Sequence, residues 1–545
     1  MKTFNKKTLC AALAGLGVLG LAGAAQAVNL NPDGLGQVLI YPYYTVRADA
    51  DGNAFNSMIS VVNTSDQGKA VKVRFLEGKA SHEVLDFNLY MSAFDVWTGY
   101  VIPTADGAAL GTKDNSCTYG NVAAAQPVPF KNDLFAGALA DGEDATLDRT
   151  REGYVEIIAM ADIPSVAANA TYTAIKHDKN GVPADCTAVI DNGDQSTTPP
   201  AWAKTDLTSP TGGLFGNMTL INVNTARAAG FDAVALTNFY DGTTEDWAGN
   251  AAVTANTTAA LAVKVDGTLW FPSGNMNPNL SMAWPTDSYL IRSSATSTAG
   301  VVANTFPGIG GDADGWKHEL INGKVVRSVF TPGLDATSST MMRSAIYNEY
   351  MNSDMVAGAT DWVITMPTKG LYFDRGAAGG AAANTLIPRA LFQNVFKAGG
   401  SADAVGAAYF NREEASITPT MGNGFSPVIP GVTAGSYLRW EANVVNFGSN
   451  TRTVFGSTNW NNIATDFDAG WAQLSIAAVA TGTGAATPAG TAHTIQGSAN
   501  LFTGLPVIGF ATELYNNATV SSAGYGTVWA SYAATVPHRF DRSIQ

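Results

Sequence analysis

The sequence predicts a mainly β fold, built as antiparallel, immunoglobulin-like β-sandwiches with a few short helices and long loops. Three observations carry this reading. Short runs such as "VKVRF" (Val71 to Phe75) alternate apolar with polar residues, the period of a strand with one buried and one wet face. Such runs are bounded by clusters of Asn, Asp, Ser and Gly, the residues of tight turns. Charged residues make up only 14% of the 545, whereas 46% are hydrophobic and eleven are Trp, enough apolar material to bury a core.

Residues 1–27 stand apart. Lys2, Lys6 and Lys7 precede an apolar run from Leu9 to Ala25, and Ala25 and Ala27 supply small residues where a signal peptidase cuts. The segment reads as a secretory signal peptide with the mature chain starting at Val28. Cys10 lies inside the apolar run and so does not mark a lipoprotein. Loss of three lysines moves the formal charge from -14 to -17, a balance that argues against nucleic acid and anionic membrane as partners. No transmembrane segment is expected after cleavage.

The remaining chain divides into 28–210, an N-terminal β-sandwich region; 211–430, a central β-rich region with a helix near 340–353; and 431–545, a C-terminal β-rich region. One large domain is the alternative. The first stretch opens with "NSMISVVNTSDQGKAVKVRF" (Asn56 to Phe75), which reads as a hairpin with Val71, Val73 and Phe75 inward and Lys72 and Arg74 in water. Two further short strands flank Ser92 to Asp95, and "GYVEIIAMADI" (Gly153 to Ile163) has the continuous apolarity of a central strand. The strand, Asn-rich turn, strand pattern recurs at Gly216 to Phe239 and at Tyr437 to Ser457.

Helices are few. Thr337 to Asp354 has Ser and Thr caps with Met342, Ile346 and Tyr350 spaced i, i+4, i+8, and Lys131 to Ala140 and Thr385 to Gly400 are shorter candidates. Segments 375–384 and 480–493 read as Gly/Ala-rich surface loops. "TDWVITMPTKGLYFD" (Thr360 to Asp374) and "GLPVIGFATELYNN" (Gly504 to Asn517) read as buried strands. Trp362, Trp440, Trp471 and Trp529 sit in apolar alternations and are assigned to the core, while Trp247, Trp316 and Trp460, among polar neighbours, are surface candidates for stacking on sugar rings.

The search for chemistry is mostly negative. His82-Glu83 and His318-Glu319 begin like the zinc motif HExxH, but Asp86 and Asn322 occupy the fifth positions. No GxSxG elbow occurs, and "GIGGDADG" (Gly308 to Gly315) lacks the lysine of a P-loop. Cys117 and Cys186, an even pair in an exported chain, are expected to form a disulfide closing about seventy residues. Asp49, Asp51 and Asn53, and separately Asp312 and Asp314, set oxygens at alternate positions beside Gly, as a calcium loop does. Ordinary Asp/Gly turns are the alternative, and no other cofactor is implied.

"PYYT" (Pro42 to Thr45), "SVVNTSDQGKAVKVRFLEG" and "TDWVITMPTKG" together resemble uncharacterised secreted or cell-surface β-rich proteins of Gram-negative bacteria. The resemblance spans most of the mature chain and brings no catalytic residues. It implies a cell-surface or extracellular location, with the periplasm as alternative. The function expected is structural or adhesive, not enzymatic, acting through contact with itself or other surface proteins. A glycan-binding module and a secreted enzyme of unfamiliar type are the competing classes.

Overall fold

The computed structural model describes residues 29–49, 52–119, 122, 126–137, 140–193, 208, 210–237, 239, 333–374, 385–386, 391–392, 403–417, 436–448, 453–463, 465, 467–476, 493–497, 500–524 and 526–545. The signal segment, Asp51, Asp312, Asp314, His318, Trp247, Trp316, most of Thr385 to Gly400 and both Gly/Ala-rich loops lie outside these residues. The protein is mainly β, 54% strand and 9% helix.

The immunoglobulin-like sandwich is not what the chain forms. Five sheets of three to seven strands are set in a ring, in the manner of a five-bladed β-propeller. The first sheet runs in the order Asn29–Leu30, Val234–Thr237, Val38–Thr45, Glu152–Ile163, Gly68–Glu77, Glu83–Met91, Cys117–Tyr119. The second runs Arg227–Asp232, Leu214–Asn222, Asn56–Asn63, Val96–Pro103, Ala108–Thr112, Val128–Pro129. The third is built on Asp403–Asn411, Ala469–Ser475, Ala345–Met351 and Arg539–Asp541, and the fourth runs Trp460–Ile463, Ala442–Phe447, Ala359–Thr365, Ile508–Ser522, Gly526–Pro537. A small fifth sheet joins Thr494–Gln496, Leu501–Thr503 and Ser543–Ile544. Unlike blades made of consecutive strands, the first two sheets draw on strands that alternate along the chain.

Burial explains why a sandwich fails. In a two-sheet sandwich each strand has one inner and one wet face. Here Leu39 and Tyr41 enter one core with Val73, Ile157, Val61 and Val444, whereas Val38 and Ile40, the alternate residues of the same strand, enter another with Tyr154, Trp362, Val445 and Leu474. The fourth sheet is likewise shared, with Val363 in the first of these cores and Trp362 and Ile364 in the second. Both cores therefore draw on residues before 240 and after 333, and the Leu214–Asn222, Arg227–Asp232 and Val234–Thr237 strands complete sheets begun near residue 29.

The opening stretch is an arch and not a hairpin. Asn56–Asn63 pairs with Leu214–Asn222 and Val96–Pro103, while Gly68–Glu77 pairs with Glu152–Ile163 and Glu83–Met91 in the other sheet. Asn63 fixes the crossing, its amide donating to Gln67 O at 2.7 Å and Ser92 O at 2.8 Å. Lys72 and Arg74 are buried, against expectation. Their face of the first sheet is covered, and each finds a carboxylate: Lys72 pairs with Asp86, and Arg74 with Glu83 at 2.6 Å and Glu156 at 3.0 Å. Val71, Val73 and Phe75 are core residues as expected, and Glu152–Ile163 is the middle strand of its sheet.

The helix expected over Thr337 to Asp354 is only Gly333–Met341; Met342–Arg343 and Ala345–Met351 are strands. The i, i+4, i+8 spacing is even-numbered, so Ile346 and Tyr350 share one face of a strand as readily as of a helix, and both are buried. Lys131 to Ala140 forms turns, not a helix, where it is described. At Gly216 to Phe239 the hairpin forms, with Asn217 opposite Asp232 and Asn222 opposite Arg227. Tyr41 explains Gly216: its hydroxyl crosses that position to donate to Ser60 O at 2.7 Å, and a Cβ there would stand 2.0 Å from it. At Tyr437 to Ser457 no hairpin forms, since Ala442–Phe447 pairs with Ala359–Thr365 and, in parallel, with Trp460–Ile463.

Candidate functional site

The last long hairpin differs from every other described part of the fold. Ile508–Ser522 is paired on one side by Ala359–Thr365 only from Ile508 to Leu514, whereas Gly526–Pro537 follows it from Phe510 to Ser522. Tyr515 to Ser522 and their partners therefore run on as a two-stranded ribbon, eight residues or about 26 Å beyond the sheet. The chain turns at Ala523-Gly524, where Gly524 takes φ +106°, and re-enters the strand at Gly526 with φ +72°. Gly is the residue that adopts such angles without strain.

The sequence of the ribbon is unusual for an exposed strand pair. From Tyr515 to Pro537 there is no Asp, Glu, Lys or Arg, and β-branched and aromatic residues recur. Gly526–Pro537 is the end strand of its sheet. Its side chains point into solvent at Tyr532, 65% exposed, and Val536, 42% exposed. Charges, prolines and bulges are the usual guards on a free edge. The outer strand carries no charge; among the described residues of this hairpin, a register shift between Asn516 and Thr519 and the terminal Pro537 are the only such devices, and Arg227–Asp232 of the second sheet packs alongside it. At the ribbon's root Tyr515 donates to Glu513 at 2.6 Å; burial, then Glu513, pushes the phenol up to about 12.

The charged residues of the described chain are mostly spent on internal order. Arg149 is buried and forked, donating to Glu77 at 2.8 and 3.0 Å and to Asp141 at 2.9 and 2.7 Å. Burial alone would raise Glu77, but Arg149 holds it at about 2. His82, which begins the HExxH-like run, lies 3.2 Å from Asp141 and beside the Phe135 ring, while Glu83 pairs with Arg74. The two residues serve different partners and form no metal set. Ser92, Asp95 and His177 come together, but serine at 3.1 Å and carboxylate at 3.6 Å both face the same Nδ1. A hydrolytic relay needs the two on opposite ring nitrogens.

Of the residues proposed for calcium, Asp49 and Asn53 lie on one turn. Asp49 accepts from Asn53 N at 2.9 Å and Asn222 Nδ2 at 3.2 Å and pairs with Arg227 at 3.1 Å. Among the described residues no three His, Cys, Asp or Glu side chains gather as a metal site. Cys117 and Cys186 are bonded, tying the edge of the first sheet to the helix Cys186–Gly193. Trp362 and Trp440 are in the core and Trp460 is half-buried, but Trp471 is exposed. On sequence alone Gly504 to Asn517 reads as a buried strand and Trp529 as core, and the charge-free run of 23 residues, Tyr515 to Pro537, is not singled out as a projecting hairpin.

Among the described residues no helix is long and apolar enough to cross a membrane. No protein-family model, no curated protein and no solved structure matches this chain.

Proposed function

We propose that this is an exported structural or adhesive protein that works at the cell exterior through strand-mediated contact between its own copies. The observation that carries the reading is the charge-free ribbon from Tyr515 to Ser531, hydrogen-bonded only to itself among the described strands. A two-stranded ribbon alone is marginally stable in water, and adding a strand to its edge supplies main-chain hydrogen bonds that any partner backbone can make. A second copy is the favoured partner on charge. Mature copies with a formal charge of -17, the full sequence's -14 less the three lysines of residues 1–27, repel one another, and a neutral projecting element is where they approach at least cost.

Analytical ultracentrifugation of the full mature chain tests this. Dimers or larger assemblies are expected at micromolar concentration, and added salt should strengthen them because it screens the net repulsion. A double variant with Tyr532→Lys and Ala534→Lys on the edge strand should sediment as a monomer with an unchanged melting temperature. Wild-type protein that stays monomeric to about 100 μM, ten times and more above the affinities of stable self-association, would overturn the reading.

A further inference from the structure

The outward face of the third sheet carries an aromatic row that has no part in the ribbon. Cross-strand register places Phe410, Trp471 and Glu349 side by side on three neighbouring strands, and Ala408, Gln473, Tyr347 and Arg539 in the next row. The rings of Phe410 and Trp471 are nearly parallel, 4.2 Å apart with 12° between planes. Tyr347, on the strand at the other side of Trp471, stands 6.4 Å from the indole and tilted by 38°. The opposite face of this sheet, with Ile346, Tyr350, Tyr409, Ala472 and Leu474, already supplies the core. Trp471 is therefore not required for burial, and it remains 40% exposed.

What surrounds the row selects among ligands. The Tyr347 hydroxyl is held on the Asp541 carboxylate, Glu349 is exposed beside Trp471, and Gln473 follows two residues along the strand. Charged and amide groups thus bound the aromatics within one row on either side, too closely for the broad apolar patch that a protein partner covers. The carboxylates and the acidic chain disfavour nucleic acid. An amphipathic ring fits: one with a C–H face to lie on an indole and hydroxyl groups at its rim to bond to carboxylate, amide and phenol.

We infer that the Phe410–Trp471–Tyr347 row is a carbohydrate-binding site for a neutral pyranose chain, with Trp471 as the stacking surface and Glu349, Gln473 and Asp541 as acceptors for sugar hydroxyls. Phe410 is a positioning residue whose ring stacks against the indole.

Affinity electrophoresis of the full mature chain in gels containing hydroxyethylcellulose, laminarin or glycol chitin tests the site, with alginate as the acidic control. At least one neutral polymer should retard the protein. Trp471→Ala should raise the dissociation constant at least tenfold, Trp471→Tyr should keep most of the binding, and Glu349→Gln, an exposed change that leaves folding intact, should weaken it several-fold. The ribbon double variant, Tyr532→Lys with Ala534→Lys, should bind sugar as the wild type does, which separates this inference from the self-association reading. No retardation by any neutral polymer, equal retardation by alginate, or binding indifferent to both Trp471→Ala and Glu349→Gln would overturn it.

Discussion

Ser457 donates its hydroxyl hydrogen to the Glu152 carboxylate at 2.5 Å, across 305 residues of chain. The same carboxylate accepts from Tyr43 at 2.8 Å and from the amide and hydroxyl of Thr458 at 2.9 and 2.7 Å, and pairs with Arg47 at 3.1 Å. Burial would raise its pKa, but Arg47 and these donors hold it below the usual carboxylate range. One side chain thus joins the first sheet to the segment that leads into the fourth. Beside Ser457, Gly456 takes φ +64°, where a Cβ would stand 1.9 Å from the Ala48 carbonyl oxygen. Glu152→Ala should cost about 3 to 5 kcal/mol, because it leaves the Tyr43, Ser457 and Thr458 donors buried without their acceptor and Arg47 with Asp148 alone. Ser457→Ala should cost about 1 kcal/mol. Urea midpoints at unchanged m-value give both numbers.

Arg74→Ala should be nearly as damaging as Val73→Asp. The first leaves Glu156 buried without its cation, and the second places a carboxylate in the apolar core; each should cost about 3 to 5 kcal/mol. Arg74→Leu combined with Glu156→Leu and Glu83→Gln should recover much of the loss, since matched apolar groups often replace a buried pair without penalty and the Gln removes Arg74's second carboxylate. Denaturant titration of the single and combined variants reads the difference.

Asp361 predicts a pH slope. It is buried, accepting from Asn446 Nδ2 at 3.0 Å and from the amides of Val454 and Phe455 at 2.8 and 3.0 Å, and burial outweighs these bonds to push it up to about 6. The folded state then holds its proton more tightly than the unfolded chain, whose value is 3.8. The contribution of this group is complete below about pH 4 and is lost as pH rises through 6, at most about 3 kcal/mol. Asp361→Asn should remove that part of the slope, seen as a flatter melting temperature between pH 4 and 6.

Cutting the Cys117–Cys186 bond should destabilise the protein by about 3 to 4.5 kcal/mol, the upper figure being the chain-entropy expectation for a sequence separation of 69. Cys186→Ser and reductant should give the same shift, measured as the change in denaturation midpoint. Reductant added to the Cys186→Ser protein should change nothing further.

The strands were legible in the sequence because alternation is local: Val71, Val73 and Phe75 point inward as their spacing demands. Their partners were not, since Asn56–Asn63 and Gly68–Glu77 are neighbours in sequence yet pair with strands as distant as Leu214–Asn222. Polarity misled at Lys72 and Arg74 because a charged residue on a strand marks water only when no carboxylate waits across the sheet; Glu156 lies directly opposite Arg74, and Asp86 pairs with Lys72. Trp471 shows the converse. Its apolar neighbours suggested burial, but Ala472 and Leu474 take the inner face and leave it outside. The disulfide was legible from count alone, and the ribbon's lack of charge was printed in the sequence without any sign that this hairpin outruns its sheet.

The double role of the Val38–Thr45 and Glu152–Ile163 strands has a cost during synthesis. Val38, Ile40, Tyr154 and Ile158 share a core with Leu76, Leu236 and Phe239, but most of its members come after residue 333, and Glu152 gains its last donors only at Ser457 and Thr458. At a ribosomal pace of about 5 to 20 residues per second, the first sheet, complete at Thr237, waits roughly 10 to 45 s for them. Throughout that interval one flank of the nascent chain offers greasy surface, and the Glu152 carboxylate has Arg47 and Tyr43 but not yet its later donors. Fragments ending before Thr458 should therefore be less soluble than the full chain.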